Sequence, residues 1–258
     1  MNQNQTPQEY PQTPPQRVQI AIPTARPLAT YVLLGVTVFI WLLQLLGQYL
    51  NFDIVTALGL KDDALIRAGQ LWRLVTPLFL HDPTLPFGIV HIGFNMYALY
   101  LYGRGLEARL GHTRFLLLYF LSGFAGNVLS FLLTPNPALG ASTAIFGLLA
   151  AEAVFILQNR RLFGAQASRA LTNLFVIAAI NLAIGFSTSG IDNFGHLGGL
   201  IGGWLFSWFG GPHWKVEGFP PDLRLIDERE GHGALTGTIA VLLFFVPLAA
   251  LGWIWIVK

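Results

Sequence analysis

Ser142 stands in Gly140-Ala141-Ser142-Thr143-Ala144 at the front of one apolar stretch, and His196 stands in Asn193-Phe194-Gly195-His196-Leu197-Gly198-Gly199 at the front of another. A serine hydroxyl is a weak nucleophile until a neighbouring base takes its proton, and an imidazole is well suited to that task. Ionisable groups at membrane depth are costly to bury and mark function by default. If the two helix starts meet, the chain carries an activated serine and is an intramembrane serine hydrolase. The other reading of His196 is a satisfied core residue beside packing glycines. Acyl transfer also needs donors for a developing oxyanion. The Ser142 amide stands at a helix N-terminus, where N–H groups are free and the dipole favours negative charge. His91 and Asn95, four residues apart, share one face of another helix, and both can donate hydrogen bonds. That pair serves equally to tie its helix to a neighbour. Asp192, four residues before His196, reads as an N-cap or loop residue, or else as a third member that fixes the imidazole tautomer.

These residues need helices in a bilayer to position them. Of the 258 residues, 53% are hydrophobic and 11% charged, against about 25% charged in an average soluble domain. Lipid is therefore the solvent. No cysteine is present, which excludes disulfides, thiolate catalysis and cysteine metal sites. A net charge of +2 gives no reason to expect nucleic acid. Met1 to Pro27 is rich in Gln, Pro and Thr and reads as a disordered tail, without the charged start and short apolar core of a signal peptide. Residues 28–258 form the membrane domain.

A spanning helix needs about 20 apolar residues. Candidate spans are Leu28–Leu50, Phe87–Tyr102, Thr113–Leu133, Ser142–Gln158, Ala170–Phe186, Phe194–Gly210 and Ala234–Val257. The connector Asn51 to Pro86, with Trp72 and Arg73, reads as a structured loop in the membrane interface, where both residue types are favoured. If the chain alternates from the tail, 11 of the 15 basic residues fall on the tail's side and 4 (Lys61, Arg67, Arg73, Lys258) on the other. By the positive-inside rule the tail side is cytoplasmic. Ser142, His196, His91 and Asn95 then all lie at one depth near the extracytoplasmic face. Gly195, Gly199 and Gly203 form a strip of small residues at spacing four, matched by Gly147 and Ala151. Such strips let membrane helices approach closely, which predicts that the Ser142 and His196 helices pack together. Glu152, about 15 Å deeper than Ser142, is expected to make a buried hydrogen bond or to pair with a cytoplasmic-side arginine rather than join the chemistry. The chain has no His-Glu-x-x-His zinc motif, no aspartates inside paired helices and no convincing repeat, so metalloprotease, aspartyl protease and transporter readings fall behind. No metal or cofactor is implied.

The motifs together resemble the rhomboid family of intramembrane serine proteases, over roughly Leu28 to Gly210. Trp72-Arg73 looks like the family's loop pair, and His91-x-x-x-Asn95 like its oxyanion motif. Gly140-Ala141-Ser142 matches the start of Gly-x-Ser-Gly, and His196-x-x-Gly199-x-x-x-Gly203 matches the helix-six signature. Gly105-Leu106-Glu107-x-Arg109-x-Gly111 resembles the segment after helix two. The resemblance implies an all-α, polytopic six-helix bundle (core 28–210) plus one C-terminal helix at about 234–257. It implies a Ser142–His196 dyad and an oxyanion hole of the Ser142 amide, His91 and Asn95. It further implies single-pass transmembrane substrates cut near the extracytoplasmic face, a lateral gate, and a loop at Phe186–Asn193 over Ser142. A prokaryotic plasma membrane is the expected location. Two positions depart from the pattern. Thr143 replaces a glycine, which costs little if it is already helical. Phe146 stands where a tyrosine often packs on the histidine. The alternative is a catalytically silent relative that binds membrane helices.

Overall fold

The computed structural model describes residues 24–219 and 221–254. Most of the expected tail, residues 1–23, and the end of the last expected helix lie outside the described residues. The Ala25 N–H donates to Ala108 O at 2.9 Å, which fastens the chain just before the first helix.

The architecture is that of an all-α membrane protein. Helix α1 (Leu28–Tyr49) is followed by a loop with two short helices, α2 (Ile54–Gly59) and α3 (Asp63–Arg67), and two 3-10 turns. Helix α4 (Phe87–Ala98) runs through a π turn into α5 (Arg104–Leu133). The rest are α6 (Ser142–Gln158), the single turn α7 (Arg160–Phe163), α8 (Gln166–Ser187), α9 (Asn193–Gly210) and α10 (Gly233–Ile254). Each expected span thus has a helical counterpart. Four helical stretches among the described residues are long and apolar enough to cross a membrane, and α6 is a shorter apolar helix. A two-stranded antiparallel sheet, β1 (Trp214–Glu217) with β2 (Arg224–Asp227), lies between α9 and α10. It was not foreseen, because its strands are short and largely exposed.

Local sequence explains the boundaries. Gly111 adopts φ 76° and ψ 166°, which breaks α5 between two spans; glycine accepts that backbone without a Cβ penalty. Thr134-Pro-Asn-Pro ends α5, since proline cannot continue a helix and biases the preceding residue towards extended backbone. Asp192 starts α9 by accepting the Gly195 N–H at 2.9 Å.

Helices α5, α6 and α9 form the centre, with α10 against α5 and α9. Their contact relies on missing side chains. A Cβ at Gly203 would collide with the Gly147 backbone, and one at Gly199 with the Thr143 carbonyl. The opposite edge of α9 does the same against α5, where Cβ atoms at Gly198 and Gly202 would strike Ala125. By contrast, α8 buries only Ala167, Leu174 and Gly185. It faces lipid over most of its surface.

The loop before α4 differs from the interfacial reading in one respect. Arg73 is buried, at 2% exposure. Its guanidinium donates to Ala57 O at 2.7 Å, Leu60 O at 2.6 Å and Gln70 Oε1 at 2.8 Å. It therefore satisfies the carbonyl ends of α2 from inside the loop. Trp72 stays half-exposed and donates to Leu58 O at 3.1 Å.

Gly203→Val should force α6 and α9 apart. Overpacking of this kind costs about 1–3 kcal/mol, so a thermal melt in detergent should show a midpoint several degrees lower. An unchanged midpoint would mean that the two backbones do not approach as described.

Candidate active site

The small-residue packing of α6 on α9 brings their N-terminal ends together. Ser142 is the first residue of α6, and His196 sits in the first turn of α9. The Ser142 hydroxyl and His196 Nε2 lie 2.8 Å apart, within hydrogen-bond distance. The Phe146 ring, one turn below Ser142, stacks on the imidazole with centroids 4.3 Å apart and planes 15° from parallel. His196 is 8% exposed. Its Nδ1 has no hydrogen-bond partner among the described residues. Asp192 does not hold that nitrogen: its Oδ1 accepts from the Gly195 N–H and, at 3.0 Å, from the Thr134 hydroxyl. Thr143 is helical, and the one non-glycine residue with positive φ among those described is Asn51. The departure from glycine at position 143 thus carries no backbone strain.

His91 comes to the same place from α4. A Cβ built on Gly140 would fall 3.0 Å from His91 Nε2 and 3.6 Å from Ser142 Oγ. The imidazole and the hydroxyl therefore border one small space that Gly140 leaves open. Gly140 also has φ +131°, a conformation suited to glycine. Asn95 is buried, and its Nδ2 donates to His91 O at 3.0 Å, within its own helix. No hydrogen bond joins it to Ser142 among the described residues. Trp72 and Arg73 lie in the loop, away from this cluster. Glu152 forms an ion pair with Arg109, which also packs over Phe155 with its guanidinium carbon 4.6 Å from the ring centroid.

A family profile described as the Rhomboid domain matches residues 68–213, more than half the chain. The chain belongs to the rhomboid family. It is 42% identical over 181 residues to the rhomboid protease GluP of Bacillus subtilis (strain 168), covering 70% of this chain and 34% of GluP. It is 34% identical over 186 residues to YdcA of the same strain, covering 70% of this chain and 87% of YdcA. RHOMBOID-like protein 1 of Arabidopsis thaliana is 39% identical over 148 residues, 57% of this chain and 36% of that protein. The chain thus spans about a third of GluP's length. Family membership and the apolar helices make it an integral membrane protein.

Sequence reasoning missed Gln44 and Lys61 among the residues that support the cluster. Gln44 of α1 accepts the His81 N–H at 3.0 Å and donates to the Thr56 hydroxyl at 2.6 Å. His81 Nε2 is 3.5 Å from the Ala141 N–H, and its ring lies 4.9 Å from that of His91. Lys61 is fully buried. A lysine in this partly apolar connector was a visible signal, but its partners were not.

Burial, with the His91 ring beside it, holds the His81 imidazole down to about 3. An unfolded histidine titrates near 6.5, so the folded state binds fewer protons between these values. The stability this confers is present above pH 6.5 and is lost as pH falls towards 3. From pH 7 to pH 4 the melting midpoint of the wild type should fall more than that of His81→Gln, by at most roughly 3 kcal/mol in stability. Parallel curves for the two proteins would contradict this.

Proposed function

We propose that this protein is an intramembrane serine endopeptidase acting through Ser142 and His196. The observation that carries the reading is the 2.8 Å contact between nucleophile and base at the apposed ends of α6 and α9. Ser142 Oγ attacks the peptide carbonyl while His196 Nε2 takes the hydroxyl proton. The resulting tetrahedral oxyanion sits in the space bordered by Gly140, His91 and Ser142. There the Ser142 amide and His91 donate to it, joined by Asn95 once its side chain turns from His91 O. His196 then returns the proton to the leaving amine and activates the water that cleaves the acyl-enzyme.

Phe146 fixes the plane of the imidazole by stacking, although it cannot donate a hydrogen bond. Gly199 supports the site by letting α9 lie against the Thr143 carbonyl. The substrates fitting such a site are single-pass membrane proteins whose helices unwind near one face of the bilayer. The bias of basic residues supports an N-terminus in the cytoplasm and a site towards the extracytoplasmic side, and the membrane of this reading is a prokaryotic plasma membrane. The connector between α8 and α9, residues 188–192, is the loop beside it. Residues 28–258 act as one membrane domain.

Labelling of detergent-purified protein with a fluorophosphonate probe tests the reading. The wild type should label, whereas Ser142→Ala should not and His196→Ala should lose at least about a hundredfold in rate. Absence of labelling in a folded wild type would favour a silent protein that binds membrane helices.

Asp192→Asn keeps the capping oxygen and removes the charge. Cleavage of a transmembrane substrate by this variant should stay within about threefold of wild type, whereas a loss on the order of 10⁴ would show a triad.

A further inference from the structure

The proposed mechanism leaves several buried charges unused, Lys61 among them. Lys61, in the loop between α2 and α3, is fully buried. Its Nζ lies 2.8 Å from Asp63 Oδ1. It also donates to three carbonyls at the end of α5 and beyond it: Ser130 at 3.4 Å, Thr134 at 2.5 Å and Asn136 at 3.1 Å. The Lys61 backbone adds a two-way bridge to Ala138, with N–H···O distances of 2.9 and 3.2 Å. Free carbonyls at a helix end attract cations, but a single ammonium shared among three carbonyls and a carboxylate does more than cap. It clamps the connector 134–141, which leads directly into Ser142.

The same connector reaches the histidine. The Thr134 hydroxyl donates to Asp192 Oδ1 at 3.0 Å, and that oxygen receives the Gly195 N–H at the start of the His196 helix. Further along, the Gly140 N–H donates to Pro77 O at 3.0 Å. The ammonium therefore stands at a fork. One arm runs through Asn136 and Ala138 to Ser142, and the other through Thr134 and Asp192 to His196. Asp63, whose carboxyl burial pushes up in spite of the Lys61 ammonium, is the counter-charge and lies outside both arms.

We propose that Lys61 is a positioning residue that sets the distance between Ser142 and His196 by clamping the α5–α6 connector. The inference rests on the reading of those two residues as the reacting pair. A displacement near 1 Å at a reacting pair costs about a hundredfold in rate, and that is the scale of effect expected. A purely stabilising lysine would instead lower activity only as far as it lowers the folded fraction.

The test compares full-length wild type, Lys61→Met, Lys61→Met with Asp63→Asn, and Thr134→Val, each in detergent. The double variant removes the stranded carboxylate and should recover much of the melting midpoint lost in Lys61→Met. Its fluorophosphonate labelling rate and kcat should nevertheless stay about a hundredfold below wild type, with KM nearly unchanged. Hydrogen exchange reads the clamp without any activity. It should rise at 134–141 and 193–196 in both lysine variants, and at 193–196 alone in Thr134→Val. Recovery of rate along with the midpoint, or exchange that rises only around residues 60–63, would overturn the inference. If wild type exchanges as expected but never labels, the reacting-pair reading fails and the positioning role falls with it. If wild type labels through Ser142 and the double variant labels equally fast, only the role of Lys61 fails.

Discussion

The closeness of two backbones governs everything else at this site. Helix α9 lies against α6 with Gly199 on the Thr143 carbonyl and Gly203 on Gly147, positions where a Cβ would collide. In lipid, apolar side chains gain little by leaving the solvent, so helices associate through close packing and polar contacts. Glycine edges therefore set the interhelical distance, and that distance sets the 2.8 Å contact between Ser142 and His196. The second glycine edge, Gly198 and Gly202 against Ala125 of α5, holds α9 from the other side. With both edges occupied, the helix bearing His196 has little freedom to shift. The lightly packed α8 has no such constraint.

A bilayer also penalises every unpaired polar group, and the helix ends near the site are full of them. The loop between α1 and α4 answers this need. Arg73 closes the carbonyls of α2, Lys61 those after α5, and Gln44 joins α1 to His81 and Thr56. Asn127 of α5 adds a bond to Leu74 O at 3.0 Å. The loop is thus a polar plug. It satisfies backbone groups that helices alone leave open, and in doing so it fixes the connector that delivers Ser142.

Much of this was legible in the sequence, and the reasons are physical. Apolar runs of spanning length are set by bilayer thickness, so the spans matched helices closely, including Ser142–Gln158 to the residue. The glycine strip 195–199–203 and its partner Gly147 foretold the approach of α6 and α9, because small residues at spacing four have few other uses in lipid. The second strip, Gly198 and Gly202, was equally readable and went unread. What could not be read was pairing between loops. Nothing local in Lys61 specifies the carbonyls of residues 130–136, some seventy residues away, and nothing in Arg73 distinguishes an interfacial side chain from one folded into its own loop. Long-range hydrogen bonds to backbone leave no periodicity in the sequence. The hairpin of β1 and β2 escaped for a related reason, since its strands are too short and too exposed to show alternation.

The arrangement around His196 bears on how a histidine can serve as a base without a carboxylate. In a triad the third group orients the ring and fixes its tautomer. Here orientation has another source: the Phe146 ring lies nearly parallel to the imidazole at 4.3 Å, and the helix start is pinned by Asp192 through Gly195. Asp192 spends its Oδ1 on the helix cap and on Thr134, so its contribution is to place the backbone that carries His196. When the Ser142 hydroxyl donates to Nε2, that bond puts the ring proton on Nδ1. A buried pair of this kind needs rigid placement more than a third charge, because any slack between α6 and α9 would break the one hydrogen bond that defines the tautomer. That places the burden on the glycine contacts and on the polar loop, the two features that hold α6 and α9 in register.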